Sequence, residues 1–297
     1  KNEAVMNTIF DKDFLERLEH LSLLSKRLRS GHNSGNRRSP VKGHSVEFAD
    51  FRSYTSGDDF RYIDWNTYAR SSKLFVKLFM EEQDLLLNIF LDSSLSMSWG
   101  EPAKGLVAKQ LAAAFAYLLL TAYERVAVAA CSDSLLNFLP PQRGRASLEK
   151  TWNFIDQIPF QGRTDLNQAL KAFGPYAKGP GISLVISDLL APAGFQEGIK
   201  YLQYLQQEII LLQILAPEEI DPGLHGDWRL IDSETGEARE ITASAQSLKA
   251  YRAKLQQFTE ATRSYCHKRG INFLQVSSAE SFEDIFLQRL PRAGILK

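Results

Sequence analysis

From Asp84 onward the sequence alternates between short, almost wholly apolar runs and longer stretches with helical spacing. This alternation constrains the fold more than any other feature. The short runs are 85–91, 126–131, 182–187, 208–215 and 272–276; the helical stretches are 103–122, 146–158, 166–176, 195–207 and 246–267, with a last helix starting near Ser281. In 246–267, Leu248, Tyr251, Leu255, Phe258, Thr262 and Tyr265 step by three and four, the signature of one helix face. Strands with so few polar residues are buried on both sides, which means a parallel sheet covered by helices above and below. The expected fold class is therefore α/β: a three-layer sandwich around a mostly parallel central sheet. In such folds a ligand sits beyond the carboxyl ends of the strands, where the strand order reverses.

The part before Asp84 reads differently. A helix is expected over 13–28, with Phe14, Leu18, Leu21 and Leu24 on one face. Segment 26–42 carries six basic residues and no acid among Gly, Ser, Asn and Pro, and reads as a solvated linker. The alternative, a basic arm for nucleic acid, lacks an aromatic side chain on which a base could stack. The whole chain, with 35 basic and 35 acidic residues, also lacks the net basic field such binding uses. Segment 45–82 is aromatic-rich and alternating, with Leu74, Val76, Leu78 and Met80 interleaved by Phe75, Lys77 and Phe79, and reads as a small β-rich layer. The expected domains are 1–83 and 84–297.

Hydrophobic residues make up 44% of the chain, enough for a sizeable core. Its longest apolar helical run, 111–123, is too short to span a bilayer and ends against Glu124 and Arg125. The opening residues lack the basic-then-apolar order of a secretion signal, so the expected location is cytoplasmic. Cys131 and Cys266 are too few for a disulfide framework and read as small buried hydrophobes.

Chemistry collects at the strand ends. The first apolar run leads into Asp92-Ser93-Ser94-Leu95-Ser96. Alternate residues leaving a strand point the same way, so Asp92, Ser94 and Ser96 can converge on one point. An all-oxygen set of this kind suits a hard divalent cation. The competing reading has Ser96 or Ser98 capping the next helix and Asp92 bracing the turn. Gly162-Arg163-Thr164-Asp165 opens another helix, and the run 182–187 ends in Asp188. Three separate segments thus bring oxygen ligands to one rim of the expected sheet.

This constellation resembles the metal-ion-dependent adhesion site of von Willebrand factor type A domains. There a D-x-S-x-S follows the first strand, a Thr comes from a later loop, and an Asp follows the fourth strand. The resemblance implies Asp92, Ser94, Ser96, Thr164 and Asp188 as ligands of Mg²⁺, or of Mn²⁺ or Ca²⁺. One departure is Arg163, where the family often has Gly; beside a cation it has to turn away or pair with an acid. The signature from Val46 to Tyr54, Gly57-Asp58-Asp59-Phe60-Arg61-Tyr62-Ile63-Asp64-Trp65 and Tyr68-Ala69-Arg70 narrows the match. It is similar to the prokaryotic domain-of-unknown-function family numbered fifty-eight, from about Leu15 to the last helix, including the hairpin from Leu230 to Gly236. Within that signature Arg52, Asp58, Asp59, Arg61, Asp64 and Arg70 read either as a local ion-pair network or as a recognition surface.

The resemblance implies a non-catalytic adaptor that meets protein partners through a metal-bound site, with a MoxR-type AAA+ ATPase supplying ATP hydrolysis. The chain has no G-x-x-x-x-G-K-[ST] loop of its own. A metal-dependent hydrolase or phosphatase using Asp92 is the alternative. None of the five histidines, His20, His32, His44, His225 and His267, lies beside Asp92, Thr164 or Asp188 in sequence, so that chemistry lacks a named acid or base.

Overall fold

The computed structural model describes residues 47–80 and 85–296, which form two compact units. The helix expected over 13–28 and the basic segment 26–42 lie outside the described residues.

In the unit over 47–80, β1 (Glu47–Ser53) pairs antiparallel with β2 (Phe75–Met80), with an irregularity between Phe48 and Asp50. Between the strands runs α1 (Trp65–Ser71), a helix that the expectation of a β-rich layer did not include. Asp64 starts it by accepting a hydrogen bond from the Asn66 N–H at 3.1 Å, and Ser72 ends it in the left-handed region at φ 55°. Seven residues give too short a period to stand out from the aromatic alternation around them.

The unit over 85–296 is built on a six-stranded sheet. Its strands are β3 (Leu86–Asp92), β4 (Arg125–Cys131), β5 (Leu135–Arg143), β6 (Gly181–Ser187), β7 (Gln207–Leu215) and, after the hairpin β8 (Gly226–Ile231) and β9 (Ala238–Ala243), β10 (Asn272–Ser277). The order is β10-β7-β6-β3-β4-β5, parallel except where β5 turns back against β4. Its helices are α2 (Lys104–Thr121), α3 (Leu148–Asp156), α4 (Leu166–Lys171), α5 (Gln196–Tyr204), α6 (Pro217–Ile220) and α7 (Ala245–Lys268). A last helical stretch passes from Phe282–Asp284 through a π turn at Ile285–Arg289 to Leu290–Arg292.

Side chains alternate between the two faces of the sheet. Leu87, Ile89, Leu91, Val126 and Val128 pack on one side with α2, α3 and the last helical stretch. Phe90, Ala129, Val185 and Leu211 pack on the other with α4, α5 and Cys266 of α7. Each buried Leu, Ile, Val or Phe among them, taken out of water, contributes roughly 1.5–3 kcal/mol. The result is the three-layer α/β sandwich with a mostly parallel sheet that the alternation implies. The sequence reading lacks β5, whose Pro140 and Pro141 are tolerated because it is an edge strand.

Helix α2 is buried almost all round, with Ala112, Ala113, Ala114 and Ala116 inaccessible to solvent. Two polar exceptions on it, Lys104 and Lys109, are also buried. Among the described residues, no helix is long and apolar enough to cross a membrane.

Candidate functional site

The chain runs from β3 to β4 and β5 on one side, then crosses to place β6 on the other side of β3. The strand order therefore reverses between β3 and β6, and Asp92 and Asp188 stand at the carboxyl ends of these two strands. With β5 counted, β6 is the fourth strand of the sheet in chain order.

Four of the five expected ligands lie in one connected cluster. The Asp92 Oδ1 accepts from the Ser94 N–H at 3.0 Å, and the Ser94 and Ser96 hydroxyls are 3.1 Å apart. The Ser96 hydroxyl donates to the Asp188 Oδ2 at 3.0 Å. The Ser187 hydroxyl donates to the Asp92 Oδ2, and the Leu190 N–H donates to the Asp188 Oδ1 at 3.0 Å. Both carboxylates are only 1% exposed. Burial first, and the neighbouring Asp188 charge second, push the Asp92 carboxyl up to about 6.

Thr164 is held differently. Its loop is stitched to the D-x-S-x-S segment by backbone hydrogen bonds from Gln161 N–H to Ser93 O at 2.8 Å and from Leu95 N–H to Gly162 O at 3.1 Å. Gly162 adopts φ 77°, a backbone state glycine takes without strain. The Thr164 side chain, however, turns to the β8–β9 hairpin. Its hydroxyl donates to the Glu234 Oε1 at 2.6 Å and its N–H to the Glu234 Oε2 at 3.0 Å. Asp165 caps α4 by accepting from the Gln168 N–H at 3.0 Å. Arg163 is exposed and favours the ionised form of Asp232 in the hairpin turn, whose carboxyl is lowered chiefly by the Thr235 and Glu234 N–H groups.

The sequence reading missed Lys104, Ser187, Glu219 and Glu234. The Lys104 side chain is 1% exposed, and its Nζ donates to the Asp188 Oδ2 at 2.7 Å and to the Glu219 Oε1 at 2.6 Å. Burial opposes the charge of Lys104, but Asp188 and Glu219 outweigh it and hold the ammonium above its ordinary pKa. Its sequence signal is a lysine at the head of a helix with no polar face, which has to find a buried partner. Glu219 comes from α6 and also accepts from the Ala216 N–H at 2.8 Å.

Asp92, Asp188 and Glu219 against Lys104 make a cluster of formal charge −2 when all four are ionised. The hydroxyls of Ser94, Ser96 and Ser187 adjoin the two aspartates. This donor chemistry fits a hard divalent cation. Among the described residues, no group of three or more His, Cys, Asp or Glu side chains gathers as a metal cluster, so any cation site here depends on serine and threonine oxygens.

The start of α2 and the Thr164 loop also meet through packing. A Cβ built on Gly105 would stand 2.2 Å from the ring of Phe160, so the ring occupies the space a side chain would fill. Lys109, one turn on, lies over the same ring at 4.8 Å and donates to the Asp156 carbonyl at 2.8 Å.

A family model described as protein of unknown function DUF58 matches residues 50–264. The chain belongs to this family. The uncharacterized protein Rv1480 of Mycobacterium tuberculosis is 26% identical over 239 residues, 79% of this chain and 75% of that protein. The uncharacterized protein MAV169 of Mycobacterium avium is 30% identical over 111 residues, 36% of this chain and 65% of that one. Similar solved structures include the conserved hypothetical protein BatB of Bacteroides thetaiotaomicron, with TM-score 0.42 and 17% identity over 71% of this chain and 98% of that one. A von Willebrand factor type A protein of Catenulispora acidiphila has TM-score 0.37 and 18% identity over 48% of this chain and 35% of that one.

In this DUF58 chain the charged residues of the signature form local pairs. Arg52 meets Asp58 at 2.8 Å, Arg61 meets Asp59 at 2.7 Å, and Asp64, which caps α1, lies 3.7 Å from the Lys77 ammonium. The Asp58 carboxyl is lowered to about 2, first by the Arg52 hydrogen bond and then by the Thr55 N–H. Exposed apolar side chains stand on the same unit, Phe60 and Trp65 among them.

Proposed function

We propose that this chain is a non-catalytic adaptor whose rim site binds a divalent cation and engages an acidic side chain of a partner protein. The observation that carries the reading is the cluster of Asp92, Ser94, Ser96 and Asp188 at the switch point of the sheet, with two buried carboxylates side by side. Mg²⁺, or Mn²⁺ or Ca²⁺, would be held by these oxygens and by Thr164. Once bound, it would offer positive charge to an incoming carboxylate. The residues themselves fix the site in advance: backbone N–H groups orient Asp92 and Asp188, and Lys104 offsets one of their charges.

The partner is a MoxR-type AAA+ ATPase, and the role is maturation or remodelling of other proteins in the cytoplasm. This partnership is supported by the family resemblance rather than by any contact in the fold. Among the described residues the rim shows no histidine for hydrolysis; His225 precedes β8 and His267 lies in the last turn of α7.

The test is calorimetric titration of Mg²⁺ and Mn²⁺ into the chain and into Asp92→Asn, with circular dichroism as a control for folding. Saturable binding that the variant loses, followed by metal-dependent capture of the ATPase, is the expected result. Equal heats from both proteins would remove the cation from the site and the reading with it.

A further inference from the structure

We propose that Glu234 is a built-in occupant of the rim site: the tip of the β8–β9 hairpin closes the Thr164 end, and a partner's acidic side chain has to displace it. This rests on the reading that the site accepts a partner's carboxylate.

The geometry is that of a ligand held in place. Both Glu234 oxygens are used, one by the Thr164 hydroxyl at 2.6 Å and one by the Thr164 N–H at 3.0 Å. The turn that presents Glu234 is preformed. The Asp232 Oδ1 accepts from the Glu234 N–H at 2.9 Å and the Thr235 N–H at 2.7 Å, and Gly236 closes the turn at φ 73°. A rigid turn spends little entropy in delivering its carboxylate.

The rest of the hairpin gives it little reason to stay. Every residue of β8 is exposed, Trp228, Leu230 and Ile231 included, and β9 is buried only at Ala243, next to α7. Between Leu230 and Glu240, the side-chain hydrogen bonds to the rest of the unit among the described residues are those of Glu234. An isolated two-stranded ribbon is marginally stable in water, so the charge-assisted Glu234–Thr164 contact, with the Arg163 charge near Asp232, governs whether its tip rests on the body or leaves it.

Three measurements on the full chain separate this from simple anchoring. First, amide hydrogen exchange of 227–243 in metal-free buffer should rise about tenfold or more in Glu234→Gln, as expected for loss of a hydrogen bond to a charged group. Second, a cyclic peptide carrying the sequence of 229–240 should bind Glu234→Gln and not the parent chain, whose own tip competes at high effective concentration. The same peptide with Gln in place of the glutamate should bind neither. Third, Mn²⁺ titrations of both proteins distinguish this proposal from the cation reading. Peptide binding to Glu234→Gln with no Mn²⁺ binding by either protein supports the occupant and sinks the cation. Mn²⁺ binding lost in Glu234→Gln would make Glu234 a metal ligand and overturn the proposal. Unchanged exchange, or no peptide binding to the loosened variant, would overturn it as well.

Discussion

Replacing Lys104 with Met tests whether the rim is an electrostatic cluster or merely a polar corner. The substitution keeps most of the buried volume, so the cavity contribution is small. What it removes is an ammonium, 1% exposed, that donates to Asp188 at 2.7 Å and to Glu219 at 2.6 Å. Breaking a buried pair by deleting one partner costs about 3–5 kcal/mol, because the surviving charge is left buried and uncompensated. With a urea dependence of roughly 2 kcal/mol per molar, the unfolding midpoint should fall by about 2 M. Fluorescence of Trp152, which is buried against Tyr117, reports the transition of this unit. Two further results belong to the same argument. Adding Asp188→Asn removes one of the two stranded charges, so the double variant should be more stable than Lys104→Met alone, with a coupling of about 2 kcal/mol. Mn²⁺ at about a hundred times its dissociation constant should restore roughly 2.7 kcal/mol to Lys104→Met. A loss below about 1 kcal/mol, or strict additivity in the double variant, would refute the claim that Lys104 balances the cluster.

In metal-free buffer Asp92→Asn should be more stable than the parent above pH 6. The folded-state pKa of Asp92 is raised from 3.8 to about 6, so the parent loses stability as pH climbs through that window and stays lower above it. The asparagine escapes a penalty of up to about 3 kcal/mol, read from melting curves between pH 4 and pH 8. The same proton competes with a cation, so the Mn²⁺ dissociation constant should weaken about tenfold per pH unit below pH 6 and level off above it. The thiols should be inert: burial pushes Cys266 up to about 12 and Cys131 higher still, so a disulfide reagent should react about a hundredfold faster in denaturant than with the native chain.

Much of the larger unit was legible because its physics is local. Runs such as 126–131 announce buried strands by excluding polar groups, and Asp92 and Asp188 mark the ends of two others, where the apolar text stops. What escaped was set by distance in the chain. β5 carries two prolines that only an edge position excuses, and its position depends on β4 being its sole neighbour. Lys104 belongs to the site because Asp188 and Glu219, far along the sequence, reach it from β6 and α6. Glu234 looks like any acid in a turn until the hairpin folds it onto Thr164. Helix α1 was hidden for the opposite reason, being too short to show a period.

Gly105 carries no functional group, yet it works as a gauge between two parts of the rim. The ring of Phe160 fills the volume where its side chain would be, four residues before Thr164, while Lys104 sits immediately before it on α2. An added methyl group there would act at both places: it would shift the helix start that aims the ammonium, or the loop that aims the hydroxyl. The spacing between a cation and an oxygen donor from separate segments is thus set by a missing carbon atom. Selection for the site can therefore act on a residue that contributes no ligand.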